Sequence, residues 1–402
     1  MAAVSATERR RGLFVTVALT FLAALIIGLL APILPLFARN LGASGLWIGL
    51  IFSGSDLVRM FLGPWVGQLY DRTGKPRILL QLAFAFHFLA ALLFGLARAY
   101  TELLWGRVAQ GLASGFFNPV AGSVMAQAAP ARRLSTYLGL YASVFFLGFG
   151  LAPVVGGWIA DQWGIRAVFP VVGTLALLGL STALALPGRM APAAPADRSP
   201  RAPLRATLRN RVIQSLLVYR LGYAMARSTL FTFFPILAVG YGLSKTQVGW
   251  ILSVQILLLS LLQFPAGWVV DRAQRKGVLL HFTLWTTGLL LALLPWLQSF
   301  WAFLGMGLLL SLAGAVSAPA ALGIAAREGQ RSGTLATAIS VNQSSFALGM
   351  IVGPVVSGWV FDTLGLQAVF WAGTLYVVLD SLFLLVWFRR PTARPYATAS
   401  TD

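Results

Sequence analysis

A chain of 402 residues that is 58% hydrophobic and only 10% charged cannot bury its apolar surface in one water-soluble core, so lipid must be part of its solvent. It has no cysteine, which excludes disulfides, thiol catalysis and cysteine-ligated metals, and its two histidines, His87 and His281, have no metal-ligand spacing. The net charge of +19 would suit a nucleic-acid partner, but the basic residues border apolar runs instead of forming one basic face.

In chain order the apolar runs are 13–37, 46–70, 78–98, 101–127, 135–159, 166–187, 212–240, 247–270, 278–298, 301–326, 333–360 and 367–388. Each is long enough to cross a hydrocarbon layer, which takes ~20 residues. The first follows Arg9, Arg10 and Arg11 but is too long for a signal-peptide core, so it reads as a retained helix. The breaks are short except 188–211, a Pro-, Ala- and Arg-rich stretch that reads as a linker. The predicted organisation is an N-terminal six-helix bundle (1–187), a cytoplasmic linker (188–211), and a C-terminal six-helix bundle with a short cytoplasmic tail (212–402).

Most of the 30 basic residues fall on the side of the N-terminus. Only Arg39, Arg98, Arg166 and Lys245 lie on the opposite side, and Arg59, Arg107, Arg220 and Arg227 lie within spans. By the positive-inside rule both termini are cytoplasmic, in a multi-pass protein of the cell inner membrane.

The halves repeat. Pro35, Gly42, Ser44, Gly49, Gly67, Asp71 and Arg72 recur 200 residues later as Pro235, Gly242, Ser244, Gly249, Gly267, Asp271 and Arg272. Pro153, Trp158 and Asp161 recur 201 residues later as Pro354, Trp359 and Asp362. Six helices is an even number, so both copies enter the membrane the same way. The fold class is therefore all-α, with twelve transmembrane helices in two parallel repeats related by an axis along the membrane normal.

The second helix ends in Gly67-Gln-Leu-Tyr-Asp71-Arg72-Thr-Gly74-Lys75-Pro-Arg77, with Asp271-Arg272 as a weaker copy. Asp71 is placed to cap the N-terminus of a neighbouring helix, and the eleventh, opening at Ser332-Gly333-Thr334, is the candidate partner. Formed in one conformation and broken in another, such a contact is a latch; the plainer reading is a loop that sets topology. The fourth helix opens Leu103-Leu-Trp-Gly-Arg107-Val-Ala-Gln110-Gly111. A cation at that depth needs a partner or water. The fifth and eleventh helices carry Gly148-Phe-Gly150-Leu-Ala152-Pro153-Val-Val-Gly156-Gly157 and Gly349-Met-Ile-Val-Gly353-Pro354-Val-Val-Ser357-Gly358. Their small residues make flat faces for helix packing. The first helix contains Pro32-Ile-Leu-Pro35.

These motifs resemble the GxxxDRxGRR loop of the major facilitator superfamily, and the LxxxRxxQG, GxxxGPxxGG and PxxP motifs of its twelve-helix drug:proton antiporter branch. The match departs at Ala152. The resemblance implies the major facilitator fold and alternating-access transport, without a cofactor or a catalytic residue.

Of the 11 acids only Asp56 and Asp380 lie deep in spans. Asp56 and Arg59 share a helix face and can pair, either permanently or as a proton carrier and its tuner. The resemblance puts the second helix beside the central cavity and the twelfth outside it. Asp56, Arg59, Arg107 and Asp380 are thus the proton-coupling candidates. The first helix has no acid where many antiporters carry one. Arg220 and Arg227, seven apart on the seventh helix, form a cavity-side set with Gln110, Tyr219 and Tyr223, and their excess positive charge suits an anionic or amphipathic solute. Pairing of these arginines with Asp380 or with backbone carbonyls is the alternative.

The expected function is proton-coupled export of a small organic molecule by a monomer whose partners are that solute, protons and the bilayer. A proton-independent uniporter or lipid-like flippase is the alternative. Clustered His, Cys or paired carboxylates of a membrane enzyme are missing from the sequence, as is any metal-ligand set.

Overall fold

The computed structural model describes residues 6–129, 133–189, 204–273 and 276–388, and every regular element among them is helical. Twelve long helices occur among these residues. In the N-terminal half they are α1 (Ala6–Asn40), α2 (Gly45–Thr73), α3 (Pro76–Leu96), α4 (Leu103–Ala128), α5 (Leu134–Trp163) and α6 (Val168–Ala183). In the C-terminal half they are α7 (Arg211–Gly240), α8 (Lys245–Arg272), α9 (Lys276–Leu293), α10 (Phe300–Arg331), α11 (Leu335–Leu364) and α12 (Leu366–Phe388). A short helix, Leu204–Arg209, precedes α7. Residues 190–203 of the expected linker and the tail from 389, with Asp197 and Asp402, lie outside the described residues.

Eleven of the twelve are long and apolar enough to cross a membrane. The exception is α4. Its 26 residues would span ~39 Å, more than the ~30 Å of a hydrocarbon core, but Arg107, Gln110, Ser114 and Asn118 lower its hydropathy. Helix ends run past the apolar runs where backbone hydrogen bonding continues into the interface: α1 extends to Ala6 and Asn40 through Pro32 and Pro35. The expected span 278–298 instead ends at Leu293 and tightens into a 3-10 turn, Leu294–Trp296, which holds Pro295.

The repeat is visible in local chemistry. Gly42 and Gly242 take φ of +84° and +87°, a left-handed turn that only glycine adopts without strain. Two residues later Ser44 and Ser244 cap α2 and α8, accepting from the Trp47 and Gln247 amides.

Within the halves α1 packs on α5, α2 on α4, and α3 on α4 and α6; α7 packs on α11 and α12, α8 on α10, and α9 on α10 and α12. The halves meet chiefly through α2 against α11 and α5 against α8. At these crossings backbone touches backbone. A Cβ on Gly49 would strike the Pro354 carbonyl, and one on Gly249 the Pro153 carbonyl. Gly358 lies on the Gly45 carbonyl and Gly157 on that of Lys245. Gly148 and Gly156 seat α5 on α1, and Gly353 seats α11 on α7. In lipid no hydrophobic force joins helices, so this close approach supplies the attraction.

The inter-half crossings cluster at the end that carries the α1–α2 and α7–α8 turns. The contacts continue to Ser53 Oγ, which donates to the Ile351 carbonyl at 2.5 Å, and to Gly150 beside Leu257. Beyond them Met60 and Phe61 of α2 and Leu261 and Phe264 of α8 are exposed. Among the described residues the halves are closed at one end and part toward the other.

Because the Gly358 crossing has no room for a side chain, Gly358→Val is expected to prise α2 from α11 at the closed end. Spin labels on two cysteines introduced across this end of the cysteine-free chain should report a longer distance than in the parent. An unchanged distance distribution would show that the crossing does not set closure.

Candidate functional site

A cavity of about 490 Å³ lies between the halves, within the size range of small-molecule sites. From α2 it takes Phe52, Asp56 and Arg59; from α4, Arg107, Gln110 and Asn118; from α5, Phe145, Phe146 and Phe149. The C-terminal half supplies Arg220, Tyr223, Arg227 and Phe231 of α7, Gln263 of α8, Ser317 of α10 and Phe346 of α11. Polar and charged side chains share the wall with a set of aromatic ones. Among the described residues four arginines and a single carboxylate, Asp56, face the space.

The four arginines have different partners. Arg59 Nη2 pairs with Asp56 Oδ1 at 2.7 Å, one turn apart on α2. Arg107 makes no ion pair among the described residues. It donates instead from Nε to the Ile51 carbonyl at 3.0 Å, from Nη2 to the Phe52 carbonyl at 2.5 Å and from Nη1 to Gln110 Oε1 at 2.6 Å. Its guanidinium also lies 4.9 Å over the Phe52 ring. Arg107 is thus a strut that ties α4 to α2, with its donors on two backbone carbonyls and the Gln110 amide.

Arg220 is only 4% exposed, and its Nη2 reaches Gln343 Oε1 at 3.2 Å while Nε has no partner. Its guanidinium sits 4.2 Å over Phe346, and that of Arg227 sits 5.2 Å over Phe231. Neither makes an ion pair among the described residues. Tyr223, one turn from each arginine, lies on the same face of α7 and in the cavity wall. Tyr219 does not reach the cavity. It is fully buried behind Tyr223, stacked at 6.0 Å, and donates to Ser317 Oγ at 2.7 Å.

Asp380 also stands apart from the cavity. It is 3% exposed on α12, packed against Gly222 on another face of α7, and neither carboxylate oxygen has a hydrogen-bond partner.

The α2–α3 loop lies at the parted end. Gly74 ends α2 with its amide on the Tyr70 carbonyl at 2.8 Å, and Gly67 faces Pro119 of α4. Arg77 donates to the Leu186 carbonyl, fixing α3 to the end of α6. Among the described residues no hydrogen bond joins Asp71 to the start of α11, so the expected cap is absent from this state. In the second copy Arg272 lies over the Trp268 ring at 3.3 Å, next to Asp271.

At the closed end the structure reveals a contact that sequence reasoning passed over. The Asp362 carboxylate of α11 accepts from the Gly45 and Leu46 amides at 2.6 and 2.9 Å, capping α2 across the halves. Asp161 of α5 does the same for α8, accepting from the Lys245 and Thr246 amides at 3.2 and 2.7 Å. It also takes Thr246 Oγ1 at 2.7 Å and Lys245 Nζ at 3.1 Å. Each carboxylate meets the positive end of a helix dipole and its unpaired amides. The repeated spacing of the two aspartates was a visible signal.

A family model described as Major Facilitator Superfamily matches residues 16–224 and 216–402. The multidrug resistance protein MdtG of Serratia proteamaculans is 29% identical over 402 residues, covering 95% of each chain. A transporter of MFS type from Methanocaldococcus jannaschii is 26% identical over 383 residues, covering 92% of this chain and 96% of that one. Among solved structures, a bacterial homologue of the human lysosomal transporter Spinster, inward-facing and occupied, superimposes with a TM-score of 0.81. It is 16% identical and covers 96% of this chain and 98% of its own.

Since Arg107 places two charged hydrogen bonds on α2, Arg107→Ala is expected to lower stability by about 3–6 kcal/mol, at about 1.5–3 kcal/mol per bond. The thermal midpoint of the purified protein without solute should fall clearly. An unchanged midpoint would mean that the strut contributes nothing to the fold.

Proposed function

The chain belongs to the Major Facilitator Superfamily, a family of transporters and not of enzymes, and from that premise we propose that it exports a small organic solute by alternating access, in exchange for protons. The observation that carries this reading is the cavity between two halves closed at one end only. The distribution of Lys and Arg supports cytoplasmic termini, which makes the closed end periplasmic and the parted end cytoplasmic. The halves 1–187 and 212–402 rock about the cavity, with 188–211 as their tether, and the working unit is a monomer in the cell inner membrane.

In this scheme Asp161 and Asp362 hold the periplasmic end shut, and breaking these caps opens it. The loops of Gly67, Asp71, Arg72 and Gly74 and of Asp271 and Arg272 take over as the latch of the outward-facing state. Pro153, Gly157, Pro354 and Gly358 are the packed faces on which the halves turn, and Gly148, Gly156 and Gly353 hold α5 and α11 firmly within their own halves. The name of the Serratia relative supports drug export, and the cavity's excess of arginine supports an anionic or amphipathic solute.

Asp56 is the proton carrier of the proposal, as the one carboxylate that faces the cavity among the described residues, and Arg59 is its partner when ionised. Arg107 anchors the same stretch of α2, and Asp380 is the next position if Asp56 fails. Because the membrane span 13–37 of α1 has no acid, a proton-independent uniporter or lipid-like flippase is the second reading.

In proteoliposomes, Asp56→Asn is expected to abolish gradient-driven accumulation while leaving downhill exchange. Wild-type transport that ignores an imposed pH gradient would remove antiport and favour the second reading. Asp161→Asn with Asp362→Asn weakens the periplasmic caps and should shift the protein toward outward-facing states. Labelling of a periplasm-side cysteine should then speed up; a rate equal to the parent's would exclude the caps as the lock. Asp71→Asn should shift the balance the opposite way and slow transport, with insertion intact.

A further inference from the structure

The described cavity holds four cationic side chains and one anionic one, so the protein leaves positive charge for something else to neutralise. The question is which arginines remain available. Arg59 is committed to Asp56, and Arg107 has its donors on two carbonyls and Gln110. Arg220 and Arg227 differ. Arg220 is 96% buried by its 4% exposure, yet its one hydrogen bond among the described residues goes to a neutral amide and Nε has none. A desolvated guanidinium without a counter-charge costs several kcal/mol, a cost that an anion of the right geometry removes.

Geometry favours the same pair. Arg220, Tyr223 and Arg227 stand at successive turns on one face of α7, and all three line the cavity. The two guanidinium groups lie over the Phe346 and Phe231 rings, and apart from the Arg220–Gln343 bond no partner among the described residues takes a donor along their edges. The donors of a guanidinium lie along those edges, in the fork that suits carboxylate, sulfonate or phosphate oxygens. Asp380, the nearby buried acid, packs against Gly222 and lies outside the cavity wall. Across the cavity, Phe145, Phe146 and Phe149 of α5 form an apolar surface, Phe145 stacked on Phe149 at 5.9 Å.

Resting on the reading of this cavity as the solute path, we propose that Arg220 and Arg227 form an acid-binding subsite, and that the solute is an organic anion whose aromatic or aliphatic body lies on Phe145, Phe146 and Phe149. The solute then spans the halves, its acid on the C-terminal one and its body on the N-terminal one. A molecule bound this way couples to the relative position of the halves, because moving them apart separates its two contacts. A free organic acid and the head group of a single-chain anionic lipid share this chemistry.

Calorimetric titration of the purified full chain in non-ionic detergent tests it, with 2-naphthalenesulfonate and 2-naphthylmethylammonium as probes of matched body and opposite charge. The sulfonate should bind and the ammonium should not. Arg220→Gln and Arg227→Gln should each weaken the sulfonate roughly tenfold or more, the loss of one charge-assisted hydrogen bond. Phe149→Ala should weaken it with the charge preference kept. Should a glutamine variant fail to fold, Arg220→Lys keeps the charge without the fork and is expected to weaken the sulfonate while its preference over the ammonium survives.

Equal or tighter binding of the ammonium, binding of neither probe, or sulfonate affinity unmoved in folded arginine variants would each overturn the subsite. Competition with lysophosphatidylglycerol assigns the source: displacement of the sulfonate at lower concentration than 2-naphthoate points to a lipid head, and weaker displacement to a free acid. Flux of the sulfonate in proteoliposomes is read separately. Binding without flux keeps the subsite and counts against the transport reading, whereas flux of the ammonium without sulfonate binding does the reverse.

Discussion

Everything in this molecule depends on two pairs of helices that meet with nothing but backbone between them. Where α2 crosses α11 and α5 crosses α8, glycines face prolines and carbonyls at a separation that leaves no room for a Cβ. Lipid gives helices no hydrophobic reason to associate, so such approaches, with the dispersion and polar contacts they permit, take its place. They bring the Asp161 and Asp362 carboxylates within hydrogen-bonding distance of helix N-termini in the opposite half. They also determine where the cavity starts, since the space opens where the crossings stop. A contact made of small residues and two carboxylate caps is tight when formed and has few interlocked side chains to disentangle when it parts.

The cavity shows how one residue type does different work in one low-dielectric space. Arg59 is neutralised by a carboxylate on its own helix, and Arg107 by carbonyls of the neighbouring helix. Arg220 and Arg227 rest on aromatic faces, which are weaker partners than an anion. The difference lies in what the surrounding helices present. Around Arg107, α2 comes close enough for two of its carbonyls to accept a second hydrogen bond, whereas around Arg220 the neighbours offer an amide and a ring.

The repeat divides labour in a way that offset arithmetic makes plain. Parts of the closed end come in pairs: Ser44 with Ser244, Gly49 with Gly249, Pro153 with Pro354, Asp161 with Asp362. Charged parts of the cavity do not. Two hundred residues from Asp56, Arg59 and Arg107 stand Ile256, Leu259 and Gly307, and two hundred before Arg220 and Arg227 stand Thr20 and Ile27. The hinge-like contacts follow the two-fold axis because both halves must close on each other alike. A small asymmetric molecule in a cavity between the halves imposes no such symmetry, so the side chains that line the cavity carry no such constraint.

The sequence alone determined the spans, the parallel repeat, the turns at Gly42 and Gly242 and the family motifs, because each rests on hydropathy over a window or on neighbours a few residues apart. Helical spacing also put Arg220, Tyr223 and Arg227 on one face. What it could not decide was which face met which neighbour. Tyr219 has the same helical phase as Tyr223 yet stands behind it, held by Ser317, and α4 spans with less apolar character than its companions because one face looks into the cavity. Asp161 and Asp362 read as ordinary residues at helix ends until the fold set them against amides 84 and 317 residues away. Which arginines were spent and which were spare was settled the same way. A side chain's partners in a helical membrane protein are fixed by how helices far apart in sequence cross, and that is decided only when the whole chain has packed.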